Sequence, residues 1–156
     1  MKKKLLIYLF ILTIITSCGF KVVNYNELLN FQVNQINSSG NKFINYKLKN
    51  KLNKFKNNYK EKLINVNFDS KKKKIIKEKN IKNEITKYKI LITSEVILNF
   101  IEINRQQKFS INSTGDFLVG DKYSETLTNE KRLVEDLTDD ISDQIKKKMF
   151  IIFDDF

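Results

Sequence analysis

The sequence lacks histidine, tryptophan and proline, and it contains one cysteine and only two arginines. The absence of histidine removes the commonest general base and the commonest metal ligand of proteins. A single cysteine cannot form an intramolecular disulfide, and without histidine neither a Cys/His zinc site nor a histidine-dependent triad can be built. A mechanism based on serine and lysine, or on carboxylates alone, stays open, but no motif supports one. The sequence therefore predicts that the protein is not an enzyme.

The first 18 residues have the pattern of a secretory signal. Three lysines at positions 2–4 precede an apolar run over residues 5–15, and Thr16 and Ser17 lie just before Cys18. A basic start, a short apolar run and small residues at a cleavage site are typical of a signal peptide. A membrane-spanning helix needs roughly 20 apolar residues, which this run does not reach. We therefore predict that residues 1–17 are removed.

The residues around the cysteine, Ile15-Thr16-Ser17-Cys18, resemble the lipobox of bacterial lipoproteins. The resemblance implies cleavage after Ser17, a thioether-linked diacylglycerol on Cys18 and acylation of the new amino group. Two or three acyl chains anchor a protein stably, where one chain is marginal. Gly19, in place of the Asp that marks inner-membrane retention, implies the periplasmic face of the outer membrane. The alternative is a signal peptide that contains a cysteine by chance. No cofactor is expected apart from the covalent lipid.

The mature chain of 139 residues suits one domain and carries a formal charge of +8, because three lysines leave with the signal peptide. This charge predicts anionic partners, such as lipid head groups, lipopolysaccharide phosphates or an acidic protein surface. Nucleic acid is not expected as a partner of an exported protein. The wealth of lysine, asparagine and isoleucine also fits an AT-rich genome, in which case much of the charge reflects codon usage.

The hydrophobic periodicity predicts the element order β-α-β-β-β-α. Strands are expected around residues 29–33, from residue 64, over 86–103 and over 108–112; helices are expected over 41–59 and from 128 to 148. A two-layer α+β sandwich follows, with two helices packed on a four-stranded mixed sheet. It forms one domain over residues 28–156, behind a lipidated tether of residues 18–27.

Several boundaries are predicted from local composition. The cluster over residues 37–41 indicates a turn with an N-cap, and the third strand is long enough that it should bend or be interrupted. The fourth strand is expected to fade through residues 113–116. Thr128 is expected to cap the last helix, Glu130 to lie in its first turn, and Lys146, Lys147 and Lys148 to complement the dipole of its last turn. Residues 150–156 receive no assignment.

Two surfaces are candidates for contact with partners. Residues 71–89 contain nine lysines, and they form either a solvated hairpin tip or linker, or a strand pair that projects past the core with a cationic end. The candidate contacts to lipopolysaccharide or a barrel are Lys71, Lys72, Lys73, Lys74, Lys79 and Lys82. The sheet face away from the helices is partly apolar, through Leu91, Ile97 and Ile101, and this indicates a protein partner.

Three short segments resemble the lipopolysaccharide-assembly lipoprotein family, LptE. These are the Cys18-Gly19-Phe20 start, Lys87-Tyr88-Lys89-Ile90-Leu91-Ile92 in the central strand, and the segment from Asn129-Glu130 through Ile145-Lys146 in the last helix. The resemblance implies a non-enzymatic plug inside the β-barrel LptD, which assists assembly of that barrel and the placing of lipopolysaccharide in the outer leaflet. Cys18 carries over from the family, whereas no lipid-contact residue does.

Other classes of function stay open at this stage. The chain could be an accessory scaffold of the machinery that inserts outer-membrane proteins, although the early β-α unit is unusual for such scaffolds. It could also be an envelope enzyme or a cation-binding lipoprotein that uses the acidic cluster Asp136, Asp139, Asp140 and Asp143. The spacing of these four residues predicts a single solvated helix face opposite the apolar stripe, with no coordination motif.

Overall fold

The computed structural model describes residues 31–56 and 62–154. The predictions of a signal peptide, of a lipid on Cys18 and of a tether over 18–27 lie outside these residues. So do Leu29 of the first predicted strand and Tyr59 of the first predicted helix. Within the described ranges, no helix is both long enough and apolar enough to cross a membrane.

The structure confirms the α+β class and the predicted order of elements. The elements are β1 (Phe31–Gly40), α1 (Lys42–Leu52) with a 3-10 turn (Asn53–Phe55), β2 (Lys62–Lys79), β3 (Ile85–Phe100), β4 (Arg105–Leu118) and α2 (Tyr123–Asp154). The sheet order is β1-β2-β3-β4, and the sheet is mixed, because β1 is parallel to β2 while the other pairs are antiparallel. Helix α1 supplies the crossover that a parallel pair requires.

The core lies between one face of the sheet and the two helices. Even-numbered residues of β3 point into it, and α1 and α2 contribute apolar residues spaced three or four apart, as predicted. The buried members of these elements include Ile90, Ile92, Val96, Leu98, Ile44, Leu48, Leu52, Val134, Leu137, Ile141, Ile145 and Met149. Each such side chain contributes about 1.5–3 kcal/mol by leaving water. The buried hydroxyls of Ser70 and Ser94 hydrogen-bond to each other at 2.9 Å, so neither is left unpaired.

The predicted turn at residues 37–40 is wrong, because β1 continues to Gly40. A bulge between Val33 and Gln35 shifts the register of β1 against β2, so the side chain of Ile36 is buried. Asn37 and Ser39, which follow it, are exposed. Gly40 then ends the strand with a φ of 89°. The predicted N-cap is confirmed, since the side chain of Asn41 accepts a hydrogen bond from the N–H of Ile44 at 3.2 Å.

Strand β4 is longer than the sequence predicts, and β3 is more regular, although β3 ends at Phe100 and not at the predicted residue 103. β3 is uninterrupted, because it has a paired neighbour on both sides along much of its length. The prediction that β4 fades at residues 113–116 is wrong, since its pairing continues to Leu118 opposite Lys87. A Cβ at Gly115 would lie 2.7 Å from Leu133 Cδ1, so this glycine allows α2 to approach the sheet closely.

Helix α2 extends past both of its predicted ends. It begins at Tyr123, and Thr128 lies inside it, where its hydroxyl donates to the carbonyl of Ser124 at 2.9 Å. Lys146, Lys147 and Lys148 are therefore not in its last turn. The helix continues because the apolar stripe does, through Ile152 to Phe153, whose ring stacks on Phe31 with the centroids 4.0 Å apart.

We expect Gly40→Ala to destabilise the protein by about 2 kcal/mol, because an L-residue is strained at positive φ. The added Cβ would also lie 2.2 Å from the Ser70 carbonyl oxygen. Chemical denaturation followed by circular dichroism measures the change. Ser39→Ala, at the neighbouring exposed position, is the control and should cost less than about 1 kcal/mol. Equal losses in the two variants would contradict the strained-turn account.

Candidate functional site

Strands β2 and β3 form a long hairpin that projects past β1. The last β1–β2 pair joins Gly40 to Ser70, whereas β2 continues to Lys79 with β3 as its partner. These nine further residues span about 30 Å at 3.3 Å per residue. The structure thus confirms a strand pair for residues 71–89, but this pair projects past β1 and not past the core, against which Tyr88 still packs. We call this segment the cationic hairpin.

The tip of the cationic hairpin is an ordered turn. The side-chain oxygen of Asn80 accepts hydrogen bonds from the N–H groups of Lys82 and Glu84, both at 2.9 Å. Asn83 adopts a φ of 63° and accepts a hydrogen bond from Lys79 Nζ at 2.9 Å. Ile81 is fully exposed between these polar residues. The tip therefore presents the apolar Ile81, the cationic Lys79 and Lys82 and the acidic Glu84 to the solvent.

Two of the predicted lysines face the helix layer. Lys72 and Lys74 pair with Glu130 of α2, with N–O distances of 3.0 Å and 2.6 Å, and the Glu130 side chain is only 16% exposed. Burial raises the pKa of Glu130, but the hydrogen bonds from Lys74 and Lys72 outweigh burial and leave the pKa below its usual value. Lys74 Nζ also lies 4.1 Å from the centroid of the Tyr88 ring.

The lysines on the opposite face of β2 are more exposed. Lys71 pairs with Asp69 at 3.3 Å, and Lys73 has no ion pair with any residue that the structure describes. At the hairpin end, Lys77 pairs with Asp116 of β4. A hydrogen bond from Ser39 is the main cause that lowers the pKa of Asp69, and one from Lys77 does the same for Asp116.

The six predicted contact lysines therefore do not form one site. They divide into a half-buried pair on the inner face (Lys72, Lys74), an exposed pair on the outer face (Lys71, Lys73) and two at the hairpin end (Lys79, Lys82). The sequence did not predict the ion-pairing role of Glu130. The alternation of β2 does predict which lysines face the helices. Lys72 and Lys74 are at even-numbered positions, as are the inward-facing Ile64, Val66 and Phe68.

A cleft lies between the cationic hairpin and the start of α2. Its volume is about 340 Å³, and its lining includes Lys74, Tyr88, Tyr123, Leu127 and Glu130. Tyr123 and Leu127 are exposed on the helix side. The cleft combines aromatic and aliphatic surface with the ammonium group of Lys74, which is paired with Glu130. It offers apolar contact more than an unpaired charge.

The sheet face away from the helices is mainly polar. Side-chain hydrogen bonds cross from β1 to β2 between Asn34 and Asn65, between Asn37 and Asn67, and between Ser39 and Asp69, at 2.8–2.9 Å. Lys108 pairs with Glu95 at 3.3 Å further along the same face. Leu91 and Ile97 are half-buried in this polar surface, and Ile101 belongs to the turn after β3. The expectation of a partly apolar face is confirmed only for Leu91 and Ile97.

The acidic cluster on α2 is divided between two sides of the helix. Asp139 pairs with Lys51 of α1 at 2.7 Å, whereas Asp140 accepts a hydrogen bond from Ser113 of β4 at 2.6 Å. The prediction of one shared solvated face is therefore wrong, although all four aspartates are exposed. Within residues 31–56 and 62–154, no group of three or more His, Cys, Asp or Glu residues is arranged to hold a metal ion.

Comparison with known proteins gives a shared fold. Neither a protein-family model nor a curated protein matches the chain. Rare lipoprotein B from Shewanella oneidensis has a similar structure, with a TM-score of 0.58 and 14% identity over 74% of this chain and 93% of that one. A protein from Caulobacter crescentus described as a lipoprotein has a TM-score of 0.58 and 8% identity over 84% of this chain and 96% of that one. Lipoprotein B from Nitrosomonas europaea has a TM-score of 0.59 and 15% identity over 87% of this chain and 93% of that one. At these identities the similarity establishes that the fold is the same as in these three proteins.

We expect Glu130→Gln to lower the free energy of unfolding by about 1–2 kcal/mol at pH 7, because two lysines lose their half-buried partner. Since the folded-state pKa of Glu130 is below its ordinary value of 4.5, the carboxylate stabilises the fold above that pH. This contribution is lost as the pH falls through the lowered pKa. The difference between the wild-type protein and the variant should therefore shrink below about pH 4. Urea titrations across the pH range measure it.

Glu135→Gln is the matched control for this prediction. Glu135 is on the same helix and pairs with one lysine, Lys47, at 3.0 Å, but its side chain is 37% exposed. This variant should lose at most about 0.5 kcal/mol. If both variants lose the same free energy, or if the Glu130→Gln difference does not depend on pH, the ion-pair account of the cationic hairpin is wrong.

Proposed function

We propose that this chain is an outer-membrane lipoprotein that plugs an LptD-like β-barrel, assists the assembly of that barrel and supports the insertion of lipopolysaccharide into the outer leaflet. The observation that carries the proposal is the fold, which the chain shares over 74–87% of its length with three proteins described as lipoproteins. The lipobox-like sequence before Cys18 supplies the anchor that such a protein needs.

The polar character of the sheet surface supports this placement. The interior of an outer-membrane barrel is polar, so a protein that fills it needs hydrophilic surface on the side that faces the wall. The open sheet face meets this need with rows of amide and hydroxyl groups, including the Asn37–Asn67 and Ser39–Asp69 pairs. Its predicted aliphatic side chains Leu91 and Ile97 are half-buried among them, and Ile75 and Leu118 are exposed nearer the tip of the cationic hairpin.

The hairpin tip supports a contact with lipopolysaccharide. Lysines suit phosphate groups as compact point charges that need no bidentate geometry. Lys79 and Lys82 lie at the tip, on either side of the exposed Ile81. In the proposed function these lysines approach the phosphates of lipopolysaccharide while Ile81 contacts apolar surface.

The β1–α1 unit favours the plug over an accessory scaffold of the protein-insertion machinery. Such scaffolds usually have a more compact order of helices and strands, without an early β-α unit. Here β1 and α1 are both present, and Ile36, Ile44 and Leu48 of this unit are buried in the common core. We further propose that the protein acts by binding and has no catalytic role.

Affinity purification from native membranes tests the proposed function. The full-length protein, with a tag at its C-terminus, is extracted in mild detergent, and the proteins recovered with it are identified by mass spectrometry. We expect stoichiometric recovery of a large outer-membrane β-barrel of the lipopolysaccharide translocon.

An unrelated outer-membrane lipoprotein with the same tag is the control for non-specific recovery of barrels. Recovery of a barrel from another assembly machine would favour the scaffold alternative. Recovery of no barrel beyond the control level would also contradict the plug.

A further inference from the structure

The outer edge of β2 is open along the cationic hairpin. β1 ends at Gly40, where the positive φ turns the chain away from β2. The N–H of Asn41 donates a hydrogen bond to the carbonyl oxygen of Ser70, with an N–O distance of 2.7 Å. Past Ser70, β2 pairs only with β3 in the part of the chain that the structure describes, and none of residues 71–80 is buried. About 30 Å of strand edge is thus without a neighbour.

The backbone groups along this edge are placed to accept a further strand. Within a strand, the N–H and C=O of one residue point to the same side, and the side alternates from residue to residue. The Ser70 carbonyl points to the β1 side, because it accepts a hydrogen bond from the N–H of Asn41 on that side. By this alternation, the N–H and C=O groups of Lys72 and Lys74 also point to the open side. A register shift follows Ile76, so the regular part of the open edge lies between Lys71 and Ile76.

The charge on this edge selects the kind of strand that can pair with it. Residues 71–79 carry six lysines and one glutamate, and the residues at 75 and 76 are isoleucines that are 39% and 49% exposed. Lysines on an edge disfavour pairing with a second copy, because like charges would lie opposite each other. The same lysines attract a strand that carries carboxylates. Two lysines would face such a strand on the outer side of the sheet. Lys71 is highly exposed, and Lys73 has no ion pair among the described residues.

We propose that the open edge of β2 binds an extended, acidic segment of a partner protein, which adds to the sheet as a fifth strand. Backbone hydrogen bonds to Lys72 and Lys74 supply the pairing, as in other cases of β-strand addition. Carboxylates opposite Lys71 and Lys73 set the preference for an acidic sequence, and an apolar residue near Ile75 and Ile76 sets the register. The inference does not depend on the barrel-plug function.

Synthetic peptides test this proposal with the full mature protein. The probe has about ten residues, the length of the open edge, and alternates glutamate with threonine and ends in valine. Two further peptides carry N-methyl groups on alternate amides, one on the odd positions and one on the even positions. The charge is the same in all three peptides, but each methylated peptide loses the hydrogen-bonding capacity of one edge. We expect one methylated peptide to bind about tenfold more weakly than the parent and the other to bind like the parent.

A pair of protein variants provides the matched control. Lys74→Ala and Lys74→Pro both remove the contact with Glu130, but only Lys74→Pro removes the N–H group that faces the open edge. We expect the parent peptide to bind Lys74→Pro several-fold more weakly than Lys74→Ala, with both variants folded by circular dichroism. In the wild-type protein, the peptide should also slow amide exchange at Lys72 and Lys74. Equal binding of both methylated peptides would show that the hairpin attracts any polyanion, lipid phosphates included, and would overturn the proposal. Absence of peptide binding would overturn it as well.

Discussion

The antiparallel pairing of β2 with β3 is the interaction on which the rest of the structure depends. β1 attaches only to the first half of β2, and β4 attaches only to β3, so neither outer strand has a place in the sheet without this pair. The buried hydrogen bond between Ser70 and Ser94 lies where β1 ends. The apolar core packs on β3 on both sides of this bond, through Ile90 on one side and Leu98 on the other. On the hairpin side, where β1 is absent, ion pairs such as Lys74–Glu130 also hold the strands to α2. One strand pair thus supplies both the scaffold and the cationic hairpin.

The faces of the elements could be predicted from the sequence, whereas many of their ends could not. The alternation in β3 and the spacing of Leu137, Ile141 and Ile145 in α2 are local signals, and burial follows them directly. Residues 37–40 and 113–116 have the composition of turns, but cross-strand side-chain hydrogen bonds and pairing with β3 keep them extended. The end of α2 is set by the packing of Phe153 on Phe31, a contact across almost the whole domain that no local pattern reveals.

The same distinction applies to the candidate site. The lysines at 71–74, 79 and 82 are visible in the sequence, but their division into inner, outer and tip groups follows from the pleat of β2 and from the position of α2. Glu130 is 58 residues from Lys72, and only the fold brings them together. That pairing changes how the charge is interpreted, because both lysines that face the helices are already engaged with one carboxylate. The exposed outer and tip lysines are the ones that can meet an anionic partner.

In the function that we propose, the polar open sheet face lies against the inner wall of an outer-membrane barrel. The most direct test places a photoreactive amino acid at Asn112, an exposed position on the open face of β4, and irradiates living cells. The account predicts one main covalent adduct, with the barrel subunit of the lipopolysaccharide translocon. An adduct with a different protein, or the absence of any adduct at this position, would contradict it.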